Sequence, residues 1–210
     1  MRFANIAGLS VLGLALGAGV VGTASATGER PAAPAPAADK AFSVDGVHSN
    51  VVFRVKHLNA SYFYGRFNKV EGSFLLDPAN PAGSSLSVTV PVDSVDTNSD
   101  ARNKHLKSQD FFSAKEFPTI SFVGKKFEKS GEENGEQLFT VTGDLTLMGK
   151  AREVTTTVRR VGVGPGMRGG EVGGIESVFT IKRSEWGMTG FVDKGVGDEV
   201  KLMVSLEGGR

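Results

Sequence analysis

The sequence predicts an all-β fold of roughly eight strands with one short helical insertion, arranged as an up-and-down antiparallel barrel or a two-sheet sandwich. Three observations carry this. Apolar residues recur with period two in run after run, turn-forming dipeptides separate the runs, and no amphipathic helix of normal length interrupts them. A barrel of about eight strands is just wide enough to hold side chains or one ligand.

The N-terminus stands apart from the fold. Arg2 gives a positive start, Ile6 to Val21 is an apolar run, and Ala24-Ser25-Ala26 has the small-residue pattern of a cleavage site. Residues 1–26 therefore read as a secretory signal peptide cut after Ala26, which predicts a periplasmic or secreted protein with no stable membrane insertion. Residues 27–40 are rich in Pro and Ala and hold no large apolar side chain, so they read as a solvated spacer of polyproline character. Residues 41–210 remain as one domain, long enough for a sizeable core.

Strand signals begin at Asn50. Val51, Phe53, Val55 and His57 share one face of that run, and Val52, Arg54 and Lys56 share the other. Leu86, Val88, Val90 and Val92 alternate next, followed by Ile120 with Phe122. Phe139, Val141, Leu145 and Leu147 keep parity through Gly143. Val154, Thr156 and Val158 follow, then Ser177, Phe179 and Ile181, and last Val200, Leu202, Val204 and Leu206. Turns are expected at Asp77-Pro78, Asn80-Pro81, Ser130-Gly131, Asn134-Gly135 and Gly195 to Asp198, with a long hairpin tip over Gly162 to Gly174. Arg54, Lys56, Arg66 and Lys69 read as solvated faces.

The one helical signal lies in mid-chain. Thr97 to Asp100 supply capping residues ahead of Ala101-Arg102-Asn103-Lys104-His105-Leu106, which predicts one or two helical turns. Asp110 is placed to cap a second turn carrying Phe111 and Phe112, and Glu116-Phe117-Pro118 ends the segment. Two roles stay open: a plug for a barrel end, or a wall of a ligand cavity.

Composition removes several classes of chemistry. There is no Cys, hence no disulfide, thiolate nucleophile or thiolate metal site. Without Arg2 the 24 basic residues fall level with the 23 acidic ones, so net charge gives no argument for nucleic acid or an anionic membrane. His48, His57 and His105 have no recognised ligand spacing, and hydrogen bonding suits them better than a metal. Asp45, His48 and Ser49 assemble into a catalytic group on paper only, since no strained nucleophile turn accompanies them. Trp186 reads either as a core aromatic or as a stacking wall at a barrel mouth. No catalytic residue, metal or cofactor is expected.

The motifs taken together are similar to those of the YceI-like family of bacterial periplasmic lipid-binding proteins. The resemblance begins at Asp45-x-x-His48-Ser49-x-Val51-x-Phe53-x-Val55-x-His57 and continues through Gly65-Arg66-Phe67, Val70-Glu71-Gly72 and Val95-Asp96-Thr97. It takes in Arg102-x-x-His105-Leu106, Asp110-Phe111-Phe112 and Phe117-Pro118-x-Ile120-x-Phe122. Gly143 to Gly149, Arg183-Ser184-x-Trp186-Gly187 and Val196-Gly197-Asp198-x-Val200 complete it. It covers essentially everything after the spacer.

The resemblance implies an extended, lipocalin-like antiparallel barrel whose tunnel takes a polyisoprenoid, a prenylated quinone or a fatty-acyl amphiphile without catalysis. The implied ligand-binding residues are Val51, Phe53, Val55, His57, Phe67, Arg102, His105, Leu106, Phe111, Phe112, Phe122, Leu145, Phe179 and Trp186. Arg102, His105 and His57 are expected at the polar head. A homodimer is left open. Four positions depart from the family pattern: Asn103 where Asp is usual, Lys150-Ala151 where Val-Thr is usual, and Trp186 where Phe is usual. The larger Trp186 is expected to reshape or shorten the tunnel.

Overall fold

The structure, a computed structural model, describes residues 40–210. The leader and all of the spacer but Lys40 lie outside the described residues. The chain forms strands β1 (Phe42–Val44), β2 (Asn50–His57), β3 (Ser61–Phe67), β4 (Glu71–Leu75), β5 (Ser85–Pro91) and β6 (Val95–Asp96), then helix α1 (Asp100–Leu106). Strands β7 (Thr119–Glu133), β8 (Glu136–Leu147), β9 (Lys150–Pro165), β10 (Glu171–Lys182) and β11 (Val196–Gly209) follow. Among the described residues no helix is long and apolar enough to cross a membrane.

Eight of these strands close an antiparallel barrel in the order β1-β4-β5-β7-β8-β9-β10-β11, with β1 bridging β4 and β11. Closure removes the free sheet edges along these eight strands, which would otherwise template aggregation. The barrel alternative is thus the one realised. The β2–β3 hairpin extends the wall: β11 pairs with β1 only at Gly208 and Gly209, and with β2 from Ser205 to Val196. Short β6 pairs with the end of β3 at Arg66–Asp96 and Phe67–Val95. No ladder joins β3 to β7, and the insertion after β6 fills that part of the wall, with Phe112 edge-on to Phe67 at 5.7 Å between ring centres.

Several local expectations change. Gly162 to Pro165 belong to β9 and Glu171 to Gly174 to β10, so the flexible tip shrinks to residues 166–170. Ser130-Gly131 is not a turn but part of β7, where the register shifts between Lys129 and Gly131. Asn134 and Gly135 do make the tight turn, both at positive φ (54° and 81°), because an antiparallel two-residue loop needs the left-handed region twice. The second capping residue is Ser108 rather than Asp110: the Ser108 side chain accepts from the Asp110 N–H at 3.3 Å, and the Ser108 carbonyl accepts from the Phe111 and Ser113 N–H groups. The segment stays a series of turns there and makes no second helix.

Alternation sets the core. In β8 every second residue from Phe139 to Leu147 is buried, including Gly143. At the β1 end the barrel is filled. Inward positions Gly173 and Gly208 carry no side chain, and an added Cβ at either would stand about 3 Å from the Phe42 or Phe74 side chain. The two rings stack at 5.4 Å in the space so left. Both are buried, and they close this end with Val70 and Leu76.

Candidate functional site

Above the Phe42–Phe74 plug the barrel is hollow, with a cavity of about 440 Å³. That lies within the range of ordinary small-molecule sites. Register gives its levels. Ile175 faces Leu206 at the blind end, Ser177–Val204–Val51 come next, then Phe179–Leu202–Phe53, Ile181–Val200–Val55, and Val196–His57 at the mouth. From Val51 to His57 the wall runs about 20 Å along the strand.

Of the residues expected at the site, all but Trp186 line this tunnel: Val51, Phe53, Val55, His57, Phe67, Arg102, His105, Leu106, Phe111, Phe112, Phe122, Leu145 and Phe179. The insertion is therefore a wall. The Ser99 side chain caps α1 by accepting from the Arg102 N–H, and the helix points Arg102, His105 and Leu106 at the cavity. Phe112 then packs on Phe67, while Phe111 stacks on Phe191 at 5.8 Å with the planes 3° apart.

Trp186 stands elsewhere. It is 1% exposed and packs behind Leu145, Leu147 and Ile181, with its indole N–H donating to the Leu145 carbonyl at 3.1 Å. The reason lies in the wall. The β9–β10 ladder stops at Val158–Ser177, leaving Val154 of β9 and Ile181 of β10 unpaired with each other, and Trp186 packs with both at the floor of the cleft between them. It seals a seam of the barrel and does not shorten the tunnel.

The mouth carries the polar groups. Arg102 is tied down by its neighbours: Nε donates to Thr97 Oγ1 at 3.0 Å, Nη2 donates to the Thr97 carbonyl at 2.6 Å, and the guanidinium lies 4.4 Å from the centre of the Phe63 ring. Asn103 Oδ1 accepts from the Thr97 N–H at 2.9 Å and its hydroxyl at 2.6 Å, so an amide oxygen holds this turn. The Asp96 carboxyl is held below its usual range, first by the Asn98 N–H and then by the Asn68 amide, with Asn103 adding a smaller hydrogen bond. An Asp at position 103 would repel that carboxylate. His105 sits edge-on to Phe111 and Phe191, at 5.1 and 5.4 Å, with Nε2 2.8 Å from Asp110 Oδ2.

Deeper in, one polar spot interrupts the apolar lining. Thr156 Oγ1 and Ser177 Oγ are 2.9 Å apart, and the Ser177 hydroxyl donates to the Thr157 carbonyl at 2.9 Å, where the β9–β10 ladder ends. The hydroxyls replace a missing ladder bond.

Sequence reasoning missed Phe63, Met188, Phe191 and Arg183, which also line the tunnel. Arg183 was visible only as part of a motif. It is 3% exposed, and its guanidinium donates to the carbonyls of Gly197 (2.9 Å), Met188 (3.0 Å) and Val196 (2.9 Å). Burial lowers its pKa and the nearby Asp198 carboxylate opposes that shift. Asp198 in turn accepts from the Ser184 N–H at 2.9 Å and hydroxyl at 2.8 Å. Two motifs apart in sequence, Arg183-Ser184 and Val196-Gly197-Asp198, thus bind each other and hold the mouth loop that carries Phe191.

The three histidines do not converge. His57 and His105 are at the mouth, whereas His48 is at the other end of β11, 2.8 Å from Asp45 and 3.6 Å from Glu207. The paper triad fails too, since Ser49 Oγ is occupied by the Glu207 main chain, accepting from its N–H at 3.0 Å and donating to its carbonyl at 3.2 Å.

Fold and cavity define a closed β-barrel built around a blind apolar tunnel with a polar rim. The chain belongs to the YceI-like family, whose domain matches residues 42–208. It is 38% identical over 178 residues to a UPF0312 protein of Pseudomonas aeruginosa (strain LESB58), covering 84% of this chain and 90% of the relative. Identity to Protein YceI of Escherichia coli O6:H1 is 37% over the same length, with the same coverage of each chain. Among solved structures, Burkholderia cenocepacia BcnA superposes with a TM-score of 0.64 at 30% identity, covering 79% of this chain and 99% of that one. A polyisoprenoid binding domain from Saccharophagus degradans shares the fold, with a TM-score of 0.63 at 14% identity, over 80% of this chain and 98% of that domain.

Proposed function

We propose that this protein is a secreted or periplasmic binding protein that sequesters or carries an isoprenoid or another long-chain amphiphile, without chemistry of its own. The observation that carries this is the tunnel. Its lining is apolar from Ile175 and Leu206 to Val55 and Ile181 apart from the Thr156–Ser177 hydroxyl pair, and its charged and imidazole groups gather at the rim, where His57, Arg102 and His105 stand. A tail buried there gains roughly 25 cal/mol per Å² of apolar surface, before ordering costs. Its head meets guanidinium and imidazole groups at the mouth. Family membership and the fold shared with a polyisoprenoid binding domain support the same class of ligand.

The blind end makes the site suit a single tail inserted head-outward. A prenylated quinone and a fatty-acyl chain meet the same requirement. Native mass spectrometry of protein purified without detergent, with organic extraction of the same sample, should reveal a co-purifying amphiphile of this kind. A protein that carries no lipid and takes up no prenyl probe would overturn the proposal.

A further inference from the structure

The outer face of the β2–β3 hairpin and of β11 beside it gathers cations and tyrosines. Direct cross-strand partners share a face of a sheet. On this face Lys201 is opposite Arg54, Arg54 is opposite Tyr64, and Lys56 is opposite Tyr62. Arg66 lies next along β3. Two cations set directly opposite each other destabilise a sheet. None of Arg54, Lys56, Arg66 and Lys201 has a carboxylate within ion-pair distance among the described residues. Arg54 lies 4.0 Å over the Tyr62 ring, and its Nε is buried without a hydrogen-bond partner. Tyr62 and Tyr64 are 54% and 53% exposed. The acids nearby stand at the borders, Glu199 two residues along β11 from Lys201 and Asp96 opposite Arg66.

At the mouth end the hairpin turns through Leu58 and Asn59, with the Ala60 N–H donating to the His57 carbonyl at 3.0 Å. Leu58 has φ +49° and is 61% exposed. A left-handed turn position normally takes Gly, Asn or Asp, and an exposed Leu there gains no burial in return. The neighbouring loop adds an exposed apolar residue of its own. Phe191 has φ +61°, Val192 beside it is exposed, and the Leu58 N–H donates to the Gly195 carbonyl at the end of that loop. The loop also brings Asp193 and Lys194. A strained position that keeps a large apolar side chain in solvent, as Leu58 does, is a sign of function.

We infer that this rim is a docking surface for an anionic lipid bilayer, with Leu58 and Val192 entering the interface, Tyr62 and Tyr64 lying at headgroup level, and Arg54, Lys56, Arg66 and Lys201 facing the phosphates. Apolar tips, interfacial aromatics and unpaired cations on one edge are the combination that peripheral membrane binding uses. The net charge of the chain concealed it, because Arg54, Lys56, Arg66 and Lys201 are gathered on one face. The contact is reversible and involves no spanning segment. It gives the tunnel reading a route, since the mouth would open onto the phase that holds an amphiphile. Its purpose rests on that reading, while the surface itself does not.

The test is flotation of the purified protein with unilamellar vesicles of phosphatidylcholine, with and without phosphatidylglycerol. Binding is expected to need phosphatidylglycerol and to weaken as salt rises. Lys56→Gln and Arg54→Gln should each weaken it roughly fivefold, the equivalent of about one elementary charge near an anionic surface. Leu58→Asn is the sharper variant: Asn tolerates the left-handed position, so Tm should be unchanged or higher while vesicle binding falls. Wild-type protein that stays out of the vesicle fraction, or a Leu58→Asn variant that floats as well as wild type, overturns the inference. So does equal binding to soluble polyglutamate that Leu58→Asn leaves intact, which would mark an acidic protein partner instead. Uptake of a monomeric prenyl probe offered without vesicles reads the tunnel alone. If vesicles bind and the probe does not enter, the docking surface stands and the tunnel reading falls.

Discussion

Replacing Arg183 by Met isolates the clamp that holds the mouth loop. Met keeps an unbranched apolar stem, while the three donations to the carbonyls of Met188, Val196 and Gly197 disappear. Hydrogen bonds from a charged donor contribute about 1.5–3 kcal/mol each, yet they do not add, and removing one partner of a buried charged group typically costs about 3–5 kcal/mol. The Arg183 side chain is buried, so solvent cannot take over its role. We expect a loss of about 4 kcal/mol, a large part of the stability of a domain. At about 2–4 °C per kcal/mol for a chain of this size, Tm should fall by roughly 10 °C in thermal denaturation followed by circular dichroism. Hydrogen exchange should localise the damage to residues 187–197, with the remote β7–β8 hairpin unchanged. Arg183→Lys keeps the charge but reaches fewer carbonyls, so it should fall between the two. A Met variant within about 1 kcal/mol of wild type would refute the clamp, because surface contacts alone lie in that range.

Phe112→Asp places a carboxylate on the tunnel wall beside Phe67 and should abolish probe uptake while leaving a β-type circular dichroism spectrum; uptake that survives would remove the insertion from the site. Trp186→Phe loses the donation to the Leu145 carbonyl and leaves part of the seam empty, for about 2 kcal/mol of stability. Because Trp186 does not line the tunnel, the bound-lipid profile should not change, and a shifted profile would contradict the seam assignment. Asp45 raises the pKa of His48 above 6.5 chiefly through their hydrogen bond, and its own carboxyl is lowered below 3.8 by the same contact. His48 therefore favours the fold below pH 6.5 and loses that contribution as pH rises through its raised value, while the Asp45 contribution is lost as pH falls through its lowered value. In Asp45→Asn an NMR titration should find His48 moved back toward 6.5; an unmoved value would show that another group sets it.

Much of this fold was legible because strand alternation is local. The parity of Val51, Phe53, Val55 and His57 is enough to set them on one face, and the structure keeps them there, along one wall of the tunnel. The helix start at Ser99 was legible for the same reason, since a cap is a contact between near neighbours. β3 escaped notice because Tyr62 and Tyr64 on its outer face alternate with Phe63, Gly65 and Phe67 on its inner one, so no contrast in polarity marks its period. Phe191 and Met188 escaped because they lie on a loop with no period at all.

The sequence by itself determined the longer alternating strands, the Asn134-Gly135 turn, the α-helix of the described residues and the family pattern, all of which rest on residues a few positions apart or on motifs read in order. Tertiary structure decided what those motifs do. That Arg183 meets the carbonyls of Val196 and Gly197, that Trp186 fills a seam where β9 and β10 part, and that Phe42 and Phe74 close the tunnel against two glycines depend on where the barrel's tilt and register bring distant segments. The charge of the chain is a sum and its surface a distribution. Only the pairing of β11, β2 and β3 gathers Lys201, Arg54 and Lys56 onto one face. Hydrogen-bond register across strands is a long-range property, and no local pattern encodes it.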